Sequence, residues 1–191
     1  MAELWNKYHA PQESNSLLDS GVYDFTVERI IELVNDSIVL SFNIAGHGIA
    51  QRIFFDSEEC TMAKYLLASV GLLKNINGGW ITNELANTVG KSGKCIVSSY
   101  DMNGITKNTI ETFIAPWADE QEQWWRYQVL QKAGKTCTAC GGPGFVAHHI
   151  KPKSIYPEER YLVSNGQCLC WTCHKKWHDT YGNMKIGGPG L

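Results

Sequence analysis

Residues 168–178 read Cys168-Leu169-Cys170-Trp171-Thr172-Cys173-His174-Lys175-Lys176-Trp177-His178, a run that holds two metal-ligand spacings in succession. Cys170 and Cys173 form a CxxC pair, which a tight turn presents as two thiolates aimed at one point. His174 and His178 stand at i and i+4, so a helix beginning near Cys173 carries both rings on one face. Upstream, Cys137-Thr138-Ala139-Cys140 is a second CxxC pair, and two such pairs complete the four-thiolate tetrahedron of a structural zinc site. The 29 residues between the pairs exceed the commonest zinc-ribbon spacing, so the ion would staple the two ends of an inserted element. Cys168 shares a face with Cys170 in an extended segment and can in principle replace it. The spacing to Cys173 favours Cys170, which leaves Cys168 as a buried spectator thiol. Unrelated buried thiols or a redox pair are the alternative reading.

The other cysteines agree with metal rather than disulfide chemistry. Cys60 and Cys95 stand alone, whereas the remaining five of seven lie within 37 residues. An odd number in a chain without an export signal argues against a disulfide framework.

Two further histidines, His148 and His149, precede Ile150-Lys151-Pro152, and Asn165-Gly166 marks a turn just before the second cysteine pair. At this point residues 135–180 resemble the HNH endonuclease family, through Cys137 and Cys140, the run Ala147-His148-His149-Ile150-Lys151-Pro152, then Asn165-Gly166, Leu169-Cys170, Cys173-His174 and His178. The resemblance implies a ββα-metal module, a hairpin followed by a helix clasping one divalent metal (Mg, Mn, Ni or Zn). It implies that His149 is a general base removing a proton from water, that Asn165 positions that base by hydrogen bonding, and that His148, His174 and His178 hold the metal. His148 occupies a ligand position often filled by Asp, and the all-imidazole set resembles the colicin-type branch. The products implied are 5′-phosphate and 3′-hydroxyl ends.

The residues support such chemistry in their own right. A neutral imidazole has a pKa near about 6.5, suited to general-base work at physiological pH. One divalent ion stabilises charge on a phosphate and a departing oxygen while a base activates water opposite. Lys151, Lys153, Lys175 and Lys176 flank the histidines as candidate phosphate contacts, or as solubilising charge. In a strict strand His148 and His149 point to opposite faces, so a strand end, a bulge or an intervening phosphate must reconcile them. A second structural zinc site, or a nuclease that has lost activity, is the alternative for the histidines.

Towards the N-terminus, Tyr23, Phe25 and Val27 alternate, and Ile38, Leu40, Phe42 and Ile44 repeat the pattern after Asn35-Asp36-Ser37, predicting a hairpin. Ile49 to Phe55 predicts a third strand. A helix is then expected, opened by Asp56 and Glu59 and carrying Met62, Tyr65, Leu66, Ser69 and Val70 up to Gly71. After the turn at Asn77-Gly78-Gly79, a short helix is expected at 82–89, then strands at 94–100 and 108–114 around Asp101-Met102-Asn103-Gly104. That order suggests an α+β chain whose first domain, 1–115, is a five-stranded OB-like β-barrel with one helix. The same stretch resembles phage-encoded OB-like proteins linked to single-stranded DNA, through Gly21-Val22-Tyr23-Asp24-Phe25 and Gly90-Lys91. Asp119 and Glu122 start a linker helix (116–134) that Gly134 stops, and residues 135–191 form the metal-bearing module. The aromatic cluster Trp124, Trp125 and Tyr127 on that helix packs against a domain, or stacks on unpaired bases.

Of the net charge of −2, residues 1–115 hold −5 and residues 116–191 hold +3, so the C-terminal part is the one suited to phosphates. No apolar run approaches the roughly 20 residues that span a bilayer, and the first residues lack a secretory core. A cytoplasmic location is expected, in the host cell if the chain is phage-encoded. Two readings follow. One is a metal-dependent DNA endonuclease acting on duplex, of phage or defence origin, with single-stranded DNA or a protein meeting the N-terminal domain. The other is a non-catalytic module in which an OB-like domain and a zinc knob grip nucleic acid or protein.

Overall fold

Alternating apolar side chains and short turns build the N-terminal half into a sheet, and a computed structural model describes its residues 17–34, 37–54 and 61–72 together with 83–181 beyond. The chain divides into two compact units, Met1–Ala118 and Asp119–Leu191. In the first unit, strands β1 (Gly21–Val34), β2 (Ser37–Ile44), β3 (His47–Phe54), β4 (Ser92–Met102) and β5 (Ile105–Ile114) form one antiparallel sheet in the order β3-β2-β1-β4-β5. Helix α1 (Thr61–Ser69) and the single turn α2 (Asn83–Ala86) lie between β3 and β4 in the chain. The capping residues Asp56 and Glu59, the turn residues Asn35 and Asp36, and Asn77-Gly78-Gly79 fall outside the described residues.

The predicted inward residues make the core. Phe25, Phe42 and Phe113 meet with ring centroids 5.2–5.5 Å apart, surrounded by buried Val27, Ile38, Leu40, Ile44, Ile53, Leu66 and Ile110. β4 and β5 run further than expected, down to Met102 opposite Ile105. The reason is Asn103-Gly104, both at positive φ (55° and 77°), a two-residue turn whose twist lets the ladder continue to its edge.

The expected closed barrel is corrected. Among the described residues no main-chain ladder joins the outer strands β3 and β5. They are bridged by a side-chain hydrogen bond from Thr109 Oγ1 to Gln51 Oε1 (3.2 Å), and α1 packs over β5, β3 and β4. Burying Ala63, Leu66 and Leu67 there covers apolar surface that strand-to-strand closure would otherwise have to enclose.

In the second unit, helix α3 (Glu120–Lys132) is capped by Asp119, whose side chain accepts from the Glu122 amide, and ends where Gly134 takes a φ of 57°. Strands β6 (Val146–His149) and β7 (Gly166–Leu169) pair antiparallel, and helix α4 (Trp171–Tyr181) follows. The helix read as a linker packs against both β6 and β7, burying Trp125 and Val129. One glycine permits this closeness, and a second lets the chain before β6 approach β7 and the first cysteine pair. A Cβ on Gly166 would stand 2.2 Å from Val129 Cγ2, and one on Gly144 would stand 2.3 Å from Cys168 Sγ. No helix among the described residues is long and apolar enough to cross a membrane.

Candidate active site and metal centres

The two cysteine pairs come together from opposite ends of the module. The Cys137–Cys140 turn is closed by hydrogen bonds from Gly141 N to Cys137 O (2.9 Å) and from Cys137 N to Gly142 O (2.7 Å). It is tied to the other pair by Thr138, whose amide and hydroxyl both donate to Cys168 O (2.8 and 3.1 Å). The Sγ atoms of Cys137, Cys140, Cys170 and Cys173 all lie within 4.8 Å of one another. A tetrahedral zinc with bonds of about 2.3 Å sets its sulfurs about 3.8 Å apart, and Cys140 and Cys170 stand at 3.9 Å. The donor set therefore fits zinc. Cys168 lies outside this group; it is fully buried, and burial raises its thiol pKa.

The four thiols do not behave alike. Burial pushes the Cys137 thiol up, but amide hydrogen bonds from Cys170, Ala139 and Cys140 outweigh it and bring it to about 6. Hydrogen bonding to the Cys170 and Cys140 sulfurs instead pushes Cys173 up to about 12. One thiolate shared among neighbouring thiols is a poor arrangement in water and a good one for a cation, which takes all four as thiolates.

The histidines gather at the other end of β6. His148 is buried, and its ring lies 5.1 Å from the rings of both His174 and His178. The i, i+4 spacing on α4 brings His174 Nε2 and His178 Nε2 to 3.1 Å. Nitrogens bound at about 2.1 Å to one ion stand about 3.0–3.4 Å apart in octahedral or tetrahedral geometry, so the three rings fit a single divalent cation. Their ligating nitrogens lie within 4.8 Å of one another. Burial, helped by the neighbouring imidazoles, lowers His148 to about 4, and burial likewise lowers His174. Both rings are thus neutral at physiological pH, the form that ligates metal. Opposite His148 on β7 is Gln167, whose amide nitrogen is buried without a hydrogen-bond partner among the described residues. It is a donor left over on the sheet face that carries His148.

His149 ends β6 and turns the other way. Its Nε2 lies 2.8 Å from the Arg160 carbonyl, and its ring stacks on Trp125 at 3.9 Å with planes 9° apart. A carbonyl only accepts, so Nε2 carries the proton and Nδ1 keeps a free lone pair. Strand geometry thus separates the rings as expected, and the strand stops at His149, where Ile150 N donates to Asn165 O (2.9 Å).

Among the described residues Asn165 makes no side-chain hydrogen bond to His149. Its buried side chain accepts from Lys151 N (2.7 Å) and donates to the carbonyls of Lys151 (3.1 Å) and Glu159 (3.2 Å). It pins both ends of the 151–159 loop, and so holds the base through the chain that leads to Arg160. The four lysines divide into two sorts. Lys151 pairs with Glu159 and Lys153 with Glu122, while Lys175 and Lys176 on α4 are exposed, with no ion pair among the described residues.

Sequence reasoning missed Arg160, and gave Glu122, Trp125 and Gly166 other roles: a helix start, a packing or base-stacking aromatic, and a turn. One signal was present: Glu122, Trp125 and Val129 stand at i, i+3 and i+7, the single face α3 presents to the module.

A two-strand hairpin and a helix thus hold three imidazoles between them, beside a four-thiol cluster. A family model described as HNH endonuclease matches residues 137–180, within the second unit. No curated protein matches the chain.

Proposed function

We propose that the second unit is a metal-dependent DNA endonuclease that hydrolyses phosphodiester bonds with His149 as its general base. The observation that carries this reading is the held imidazole of His149, fixed at Nε2 by Arg160 O, next in sequence to the three-imidazole cluster of His148, His174 and His178. A divalent ion bound there, whether Mg, Mn, Ni or Zn, supplies charge stabilisation for the phosphate and the departing oxygen. His149 Nδ1 takes a proton as the water oxygen bonds to phosphorus and the bond to the 3′ oxygen breaks. That oxygen leaves with a proton from solvent, giving 5′-phosphate and 3′-hydroxyl ends. Asn165 is a positioning residue, acting through the loop it pins. The cysteine site is structural: zinc there locks the start of α4, and so His174 and His178, onto the Cys137–Cys140 turn. Lys175 and Lys176, exposed and without an ion pair among the described residues, are the lysines suited to hold backbone phosphates.

For the first unit the strand order and the Gln51–Thr109 bridge support an OB-like reading. Its net −5 charge suits a protein partner as well as single-stranded DNA. The test of the nuclease reading is nicking of supercoiled plasmid by the full chain with each of the four metals. His149→Ala should cut about 10²–10⁴-fold more slowly. No cutting with any metal, or cutting unchanged by His149→Ala, overturns it.

A further inference from the structure

Helix α3 lies upstream of the matched residues 137–180, yet it supplies one surface that holds His149 and the carboxylates that anchor another. Trp125 covers the imidazole face to face, and its indole Nε1 donates to Leu162 O (2.9 Å). One turn earlier, Glu122 Oε2 accepts from the Nε (3.1 Å) and a terminal nitrogen of Arg160, while Oε1 accepts from Lys153 Nζ. Asp119 completes the clamp by accepting from Arg160 and from the Tyr161 hydroxyl (2.7 Å). Arg160 is the residue whose carbonyl accepts from His149. Burial alone would raise the Glu122 carboxyl, but hydrogen bonds from Lys153 and Arg160, with their charges, hold it below its ordinary value.

We propose that Glu122 is a positioning residue for the proposed hydrolysis, fixing the Arg160 carbonyl that orients His149, while Trp125 fixes the plane of the same ring. An imidazole has two torsions to hold, and two partners hold them: a carbonyl at one ring edge and an indole on one face. The carbonyl belongs to an exposed stretch, since the single 3₁₀ turn Pro157–Glu159 just before it buries none of its residues. Without Glu122 that stretch keeps Asn165 and the Lys151–Glu159 pair at 151–159, but of the two carboxylates that hold Arg160 only Asp119 remains. Removing the two cations' shared partner also takes the carboxylate from Lys153 and leaves Arg160 on Asp119 alone. The functional part of the module therefore begins at α3, before the first cysteine pair.

This rests on the nuclease reading, and the experiment separates the two. Metal-loaded full-length wild type, Glu122→Ala, Glu122→Asp, His149→Ala and Glu122→Ala/His149→Ala are compared in single-turnover plasmid nicking, with metal content measured on each. Glu122→Ala should lower the cleavage rate about 10–100-fold, since misplacement by about 1 Å costs that much. KM and metal content should stay as in wild type, and Glu122→Asp should recover part of the rate. In the His149→Ala background the Glu122 substitution should have no further effect, because the two act as one unit. A second readout needs no turnover: the imidazole ¹H–¹⁵N correlation of His149 Nε2–H should be slowly exchanging in wild type and lost in Glu122→Ala. An equal rate loss in both backgrounds, or a Nε2–H signal unchanged in Glu122→Ala, overturns the positioning role and leaves the nuclease reading standing. Wild-type cutting by His149→Ala overturns the general-base role on which this proposal rests, and no cutting by wild type overturns the nuclease reading itself.

Discussion

Replacing Gly166 by Ala adds one methyl group at the tightest point between β7 and α3. Its Cβ would sit 2.2 Å from Val129 Cγ2, 3.1 Å from Val129 Cγ1 and 3.0 Å from Trp125 Cζ2. Carbon atoms rest at about 3.5–4.0 Å, so α3 and β7 must part by more than about 1 Å. Val129 and Trp125 are both buried, so the atoms that meet the new methyl group lie inside the packed unit. Overpacking of this kind costs about 1–3 kcal/mol. For a unit spanning residues 119–191, that corresponds to a fall in Tm of about 4–20 °C. Because Trp125 is one of the two atoms' owners displaced, the His149 ring it stacks on shifts as well. Plasmid nicking at a temperature where the variant is folded should then drop about 10²-fold. Thermal unfolding of zinc-loaded protein measures the first effect, and nicking of the same sample the second. Val129→Ala in the same chain should relieve part of the clash, making the double variant less destabilised than the sum of the singles. Unchanged Tm and unchanged nicking in Gly166→Ala would refute the close packing of α3 on β7 and the route from it to His149.

Two further outcomes follow from the site. His148 binds a proton at about 4 when folded and near 6.5 when unfolded, so in metal-free protein the unfolded chain takes up a proton that the folded chain refuses as pH falls through that window. Stability should fall by about 1.4 kcal/mol per pH unit at full slope, on the order of 3 kcal/mol in all; thermal midpoints from pH 7 to 4 measure it, and His148→Gln should flatten the curve. Lys175→Ala and Lys176→Ala should each weaken DNA binding and reduce the salt slope of log K by about 1, whereas Lys151→Ala, which removes a cation already paired with Glu159, should leave the slope nearly unchanged in a filter-binding or anisotropy titration.

The parts of the site that could be read from the chain are those set by short spacing. A CxxC turn and an i, i+4 pair fix their geometry within one or two turns, so Cys170, Cys173, His174 and His178 announced themselves. The core of the first unit was legible for the same reason, since alternation alone told which side of each strand holds Phe25, Leu40 and Phe42. What could not be read depends on how separate elements dock. Trp125 meets His149 across 24 positions of sequence, and Glu122 meets Arg160 across 38; no local pattern marks either pair. Asn165 was assigned a direct hold on the base, whereas its amide is fully used on the backbone of the 151–159 loop. Lys151 and Lys153 looked equivalent to Lys175 and Lys176 until folding gave them carboxylate partners. Barrel closure failed as an expectation because element order says nothing about whether two edges join by main chain or by side chain.

In the proposed mechanism one metal ion held by imidazoles serves cleavage and a second held by thiolates serves structure. Metal content and plasmid nicking of His174→Ala, measured on the same purified full-length preparation beside wild type, test it most directly. Wild type should carry two ions per chain and cut, and His174→Ala should carry one, keep its fold, and no longer cut. Two ions retained in His174→Ala, or nicking at the wild-type rate with one, would contradict the account.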